Sequence, residues 1–114
     1  MADINITPKQ AIDLVNNASA LLVDVRELAE WQSAHIANAE FLPLSEYYDK
    51  SESLSGKSPK WRGKKVIFYC RSGVRSLQFA KYIQKELPNL SVYNLEGGIL
   101  AWNEQLSGKD IIFG

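Results

Sequence analysis

The run Val66-Ile67-Phe68-Tyr69-Cys70-Arg71-Ser72-Gly73-Val74-Arg75-Ser76 constrains the fold more than any other stretch of this chain. Its first four residues are apolar, β-branched or aromatic, and they read as a buried strand. Leu77 to Leu87 reads as a helix that stops before Pro88. Between them lies a short loop holding one glycine and two arginines. A strand, a tight loop and a helix aim successive backbone N–H groups at one point, and the positive end of the helix dipole faces that point too. Such a cup binds anions. The single cysteine of the chain stands where the strand ends. A thiol held there is favoured as thiolate, with a pKa lowered from ~8.5 to about 3.5–7.5 at comparable sites.

The 114 residues suffice for one domain, spanning 1–114 and burying about two-thirds of its unfolded surface. The 13 basic residues are balanced by 13 acidic ones. That balance leaves no electrostatic footprint for nucleic acid or an anionic membrane, so the arginines of the loop are a local feature. One cysteine makes no internal disulfide and no multi-cysteine metal site, and neither a metal nor a cofactor is expected. Met1-Ala2-Asp3-Ile4-Asn5 lacks the basic and apolar regions of a signal peptide. No apolar run approaches the ~18 residues of a spanning helix. The expected location is the reducing cytoplasm, which suits a lone reactive thiol.

Along the chain, Ile4-Asn5-Ile6 reads as a short strand, and Thr7-Pro8-Lys9-Gln10 as a capping box with proline at the first helical position. Ala11, Ile12, Leu14 and Val15 give that helix its apolar side, and Asn16-Asn17 ends it. Ala20 to Val25 is apolar on both faces, as in a covered parallel sheet, with Asp24 at its C-terminal end. Glu27 to Trp31 reads as a short helix, His35 to Ala39 as a turn, Glu40-Phe41-Leu42 as a strand, and Pro43 onward as a helix through Glu46-Tyr47-Tyr48. Asp49 to Lys60 has loop composition. Leu90 to Leu95 reads as another strand, Gly97-Gly98 as a sharp turn or close approach, and Ile99 to Glu104 as the last helix. Ile111-Ile112-Phe113 is apolar and is expected to pack back. Strands alternating with helices indicate an α/β fold with a mainly parallel sheet. Ligands bind such sheets beyond the carboxyl ends of the strands, which puts Cys70 and Asp24 on one edge.

Several blocks together resemble the rhodanese family of sulfurtransferases across nearly the whole chain. They are Asp24-Val25-Arg26 with Glu30-Trp31, His35-Ile36 and Ala39, Pro43-Leu44, Cys70 to Ser76, and Leu95-Glu96-Gly97-Gly98-Ile99 with Trp102. The resemblance implies a single-domain, three-layer fold: a five-stranded mainly parallel sheet flanked by helices. It departs from the family pattern at Ala34 and Asn38, where glycine is usual; asparagine tolerates left-handed backbone angles.

The activity so implied is transfer of a sulfane sulfur. Thiolate Cys70 takes the outer sulfur of a small anionic donor such as thiosulfate, and a second nucleophile, cyanide or a thiol, removes it. The acceptor thiols so implied include those of a partner protein. Such a scheme is covalent and ping-pong. Cys70 is the expected catalytic residue, and Arg71, Ser72, Gly73, Val74 and Arg75 the expected substrate-binding loop. A cation beside the positive end of a helix dipole is unfavourable, so Arg75 argues for an anion nearby. Arg71 serves either the donor or the surface. Asp24, Arg26 and Glu30 read as structural: either Arg26 pairs with Glu30, or Asp24 braces the loop. His35 reads as a hydrogen-bonded turn residue, and Trp31, Trp61 and Trp102 as core or cleft wall. Three rival readings remain: a cysteine-dependent phosphatase or arsenate reductase, a persulfide carrier or interaction module, and a redox switch. The phosphatase-type loop places its arginine six positions after the cysteine, whereas Arg75 is five after. Non-enzymatic modules of the family typically lack the cysteine. No C-x-x-C or internal resolving thiol supports a redox switch.

Overall fold

The computed structural model describes residues 4–17, 19–45, 61 and 63–113. Seven strands are β1 Asn5–Ile6, β2 Ala20–Asp24, β3 Ala34–Ile36, β4 Glu40–Phe41, β5 Lys65–Tyr69, β6 Ser91–Leu95 and β7 Ile111–Phe113 among these residues. The helices described from end to end are α1 Pro8–Asn16, α2 Leu28–Ser33, α3 Val74–Glu86 and α4 Gly98–Gln105. Five strands form one parallel sheet in the order β1-β6-β5-β2-β4, so β5 lies at its centre. No helix among the described residues is long and apolar enough to cross a membrane.

Strand alternation on β5 builds both halves of the core. Val66, Phe68 and Cys70 face one side, where they meet Phe79, Ala80 and Ile83 of α3. Ile67 and Tyr69 face the other, against Ala11 and Ile12 of α1 and Ile99 and Trp102 of α4. Phe68 meets Phe79 and Trp61 edge-on, with ring centroids 5.1 and 5.6 Å apart. Each such ring contributes roughly 1.5–3 kcal/mol by leaving water. The central strand is therefore covered on both faces, as its unbroken apolar run requires.

Local signals act as the sequence dictates. Thr7 caps α1 through a reciprocal box: Gln10 N–H donates to Thr7 Oγ1 at 3.2 Å, and Thr7 N–H donates to Gln10 Oε1 at 2.9 Å. Asn38 adopts φ 66°, the left-handed angle expected where the family has glycine. Ala34 is extended, φ −168°, a conformation open to any residue, so glycine is not needed there.

Two expectations need correction. The stretch read as a turn from His35 begins instead in strand β3, which pairs antiparallel with β7 in a separate two-stranded sheet. That pairing is also where the apolar C-terminal segment packs back. Helix α3 starts three residues before Leu77, at Val74, so the loop is tighter than its composition implied. Of the helix expected from Pro43 onward, Leu44 and Ser45 are helical, while residues 46–48 and the loop expected over 49–60 lie outside the described residues.

Gly98 is the tightest point of the framework. It has φ +63°, and an added Cβ would come within 2.4 Å of the carbonyl oxygens of both Cys70 and Arg71. Replacing Gly98 by Ala is expected to cost about 2–4 kcal/mol of stability through strain and backbone collision. Urea unfolding measures this; a loss below half a kcal/mol would mean that α4 does not press on the loop as described.

Candidate active site

Cys70 follows β5 directly, and its side chain is 1% exposed. Gly73 turns the chain with φ 93° and serves as the N-cap residue of α3, without a side-chain cap of its own. The Cys70 sulfur takes that place. Gly73 N–H donates to Sγ at 3.1 Å and Ser76 N–H at 3.5 Å, while Ser76 Oγ lies 3.3 Å from it. Ser76 is the third residue of the helix, whose N–H a capping side chain ordinarily receives. The sulfur thus sits at the positive end of a 13-residue helix. Burial pushes the thiol pKa up. The Ser76 hydroxyl and the N–H groups of Ser76, Gly73 and Ser72 outweigh burial and bring it below the ordinary value.

The loop is held from outside by backbone contacts. Ile99 N–H donates to Cys70 O at 2.9 Å, and Leu100 N–H to Arg71 O at 3.2 Å. The free N–H groups at the start of α4 thus meet the carbonyls of the cysteine loop. Gly97 and Gly98 permit this approach, as their pairing in the sequence indicated. On β6, buried Asn94 donates through Nδ2 to Gly73 O at 3.2 Å and to Asn5 Oδ1 at 2.8 Å.

The charged residues pair differently from one sequence reading. Arg26 binds Asp24, not Glu30: Nε reaches Oδ1 at 3.0 Å, and one terminal nitrogen reaches Oδ2 at 2.8 Å. The same nitrogen donates to the Ala34 carbonyl, at 2.6 Å. This buried pair ties the end of β2 to β3. Glu30 instead receives both terminal nitrogens of Arg75, each at 3.0 Å. The anion that Arg75 called for is therefore supplied in part by the protein itself. The Arg75 hydrogen bonds hold the Glu30 carboxyl below its usual range. The pair is partly exposed, so it orients Arg75 more than it stabilises the fold.

Arg71 is exposed, and its guanidinium has no hydrogen bond or ion pair among the described residues. It lines a cavity of about 430 Å³ together with the Arg26 and Glu30 side chains. Ile99, Leu100, Ile111 and Phe113 give that cavity an apolar wall. His35 stacks on Trp31 at 3.7 Å, and its Nδ1 is 3.0 Å from the Trp31 carbonyl, which can only accept. It is hydrogen-bonded, as read, although it lies in strand β3 and not in a turn. Trp61 and Trp102 are core.

Of the loop expected from Arg71 to Arg75, Ser72 and Gly73 turn N–H groups toward the Cys70 sulfur, whereas the Arg75 guanidinium pairs with Glu30 and the Arg71 and Val74 side chains are exposed. The sequence reading passed over Ser76 as a hydroxyl donor, and over Asn94. The signal for Asn94 was present: a lone polar residue at an inward position of an apolar strand has to find partners.

The family profile described as rhodanese-like domain matches residues 7–105. The chain is 33% identical over 109 residues to the probable adenylyltransferase/sulfurtransferase MoeZ of Mycobacterium tuberculosis, across 95% of this chain and 26% of that protein. It therefore spans only about a quarter of that relative's length. It is 29% identical to the thiosulfate sulfurtransferase GlpE of Coxiella burnetii, across 85% of this chain and 84% of that one. Among solved structures, a rhodanese-related protein of Thermoplasma volcanium aligns with a TM-score of 0.73 at 26% identity, covering 96% of this chain and 98% of that one.

A lowered thiol pKa makes thiolate, the reactive form, abundant at lower pH than for a free cysteine. Alkylation of Cys70 followed against pH is expected to have its midpoint below the ~8.5 of an ordinary thiol. A midpoint at or above that value would show that burial outweighs the hydrogen bonds.

Proposed function

This chain belongs to the family of rhodanese-like domains, and we propose that it is a sulfurtransferase that carries sulfane sulfur as a persulfide on Cys70. One observation carries the reading: a buried cysteine sulfur receives the N–H groups of Gly73 and Ser76 at the start of a helix. Relatives named sulfurtransferases, including GlpE, support the reaction class.

In the first half-reaction the Cys70 thiolate attacks the outer sulfur of a donor such as thiosulfate. The donor's S–S bond breaks, sulfite leaves with the electron pair, and Cys70 keeps the outer sulfur as a persulfide anion. In the second, an acceptor nucleophile attacks that outer sulfur and Cys70 leaves again as thiolate. The N–H groups of Ser72, Gly73 and Ser76 stabilise negative charge on sulfur in both steps. Arg71, Ser72, Gly73, Val74 and Arg75 form the cradle for the donor. Arg71 is its mobile cation, because Glu30 already holds Arg75. Cyanide serves as an acceptor, but the apolar wall of the adjoining cavity favours a thiol with an organic skeleton, free or on a protein. A reducing compartment such as the cytoplasm would preserve the lone thiol. The phosphatase reading is weaker. At the sixth position after the cysteine, where such a loop carries its arginine, Ser76 turns its hydroxyl onto the sulfur at 3.3 Å.

Cys70→Ser is expected to abolish transfer while leaving the fold intact by circular dichroism, with some stability lost because a neutral oxygen replaces the thiolate at the helix start. Arg71→Ala is expected to raise KM for thiosulfate about tenfold, as loss of a charged hydrogen bond does. It should leave an uncharged organic polysulfide nearly unaffected. Residual activity in the serine variant would remove Cys70 as nucleophile, and equal losses with both donors would remove Arg71 from anion binding.

A further inference from the structure

Asn94 lies on β6, outside the cysteine loop, and is 1% exposed. Its amide nitrogen is committed to two groups that only accept from it, Asn5 Oδ1 and the Gly73 carbonyl. That fixes the amide, and turns Oδ1 toward Ser76 Oγ, 2.6 Å away. An amide oxygen accepts only, so the Ser76 hydroxyl donates to it. The same hydroxyl oxygen lies 3.3 Å from the Cys70 sulfur. A serine hydroxyl has one hydrogen, and here two acceptors compete for it.

We propose that Asn94 is a positioning residue that takes the Ser76 hydroxyl hydrogen when the Cys70 sulfur is uncharged and releases it when that sulfur is a thiolate. In the thiol, S–H donates to Ser76 Oγ, and Ser76 donates to Asn94. When the thiol proton is lost to solvent, the Ser76 hydroxyl turns to Sγ, and Asn94 Oδ1 is left facing a lone pair. A buried acceptor without a donor is costly. Asn94 thus opposes the N–H groups and limits how far the thiolate is stabilised. The limit is useful, since thiolate nucleophilicity falls as the pKa falls. The rotor moves a hydrogen bond and no proton. In a persulfide the inner sulfur is uncharged, and the hydroxyl returns to Asn94; this last statement rests on the sulfurtransferase reading, and the rest does not.

The other charges about the sulfur stay constant in this scheme. Arg75 on α3 is the cation whose field reaches Cys70, and Glu30 on α2 fixes it. Arg71 stands on the loop itself, and the Asp24–Arg26 pair closes neighbouring β2. Tyr93, the ionisable residue of β6, packs in the opposite half of the core with residues of α1 and α4.

The test is the pH midpoint of Cys70 alkylation by iodoacetamide in the full chain. Ser76→Ala is expected to raise it. Asn94→Leu, similar in size without the acceptor, is expected to lower it by about one pH unit. The same substitution combined with Ser76→Ala is expected to add no shift, because Asn94 acts through that hydroxyl. A rise with Asn94→Leu, or a shift undiminished in the double variant, would mean that Asn94 acts only through the Gly73 carbonyl and would overturn the proposal. A second readout avoids Asn94→Leu should it fail to fold. Below the midpoint, the infrared S–H stretch is expected at lower frequency in the parent than in Ser76→Ala. Equal frequencies would remove the thiol-to-Ser76 bond and the proposal with it. Neither readout requires sulfur transfer, so failure here is separate from failure of the proposed function.

Discussion

Helix α3 begins on a sulfur atom where most helices begin on an oxygen, and the rest of the site follows from that substitution. The third-residue N–H that a serine or aspartate cap would receive goes to Cys70 Sγ, along with the N–H of Gly73. An N-terminal N–H group is better satisfied by a negative acceptor than by a neutral one. The helix therefore favours the thiolate, and the thiolate in turn caps the helix. Stability of the helix start and reactivity of the sulfur are one interaction seen from two sides.

Everything around the loop serves to keep it closed. The sheet delivers Cys70 at the end of its central strand, covered on both faces. Gly98 lets α4 come close enough for its first N–H groups to hold the carbonyls of Cys70 and Arg71. Asn94 ties Gly73 to β6, and Glu30 swings Arg75 across from α2. The loop's donors are thus fixed before any ligand arrives, which is what electrostatic stabilisation of a charged sulfur requires.

Much of this was legible in the sequence because the governing signals are local. The Thr7–Gln10 box, the two-sided apolar runs of β2 and β5, the Gly97–Gly98 pair and the cysteine loop each lie within a few consecutive residues. What escaped was long-range. Glu30 and Arg75 are 45 residues apart, and nothing near either names the other. Strands β3 and β7 have three residues each, too short for a periodic signal, and pair only because the chain folds back. Arg26 has both Asp24 and Glu30 within reach on the sequence, and only burial of Asp24 decides for the nearer one. Asn94 also escaped, because its partners Asn5, Gly73 and Ser76 all lie far from it along the chain.

The central claim is that the captured sulfur resides on Cys70 between two separate displacements. Intact-mass spectrometry of protein treated with thiosulfate and freed of small molecules tests it most directly. The account predicts a gain of one sulfur atom, mapped to the peptide containing Cys70, and its removal by cyanide with release of thiocyanate. An active protein that never carries the added sulfur, even in rapidly quenched samples, would mean direct transfer between substrates and would contradict it.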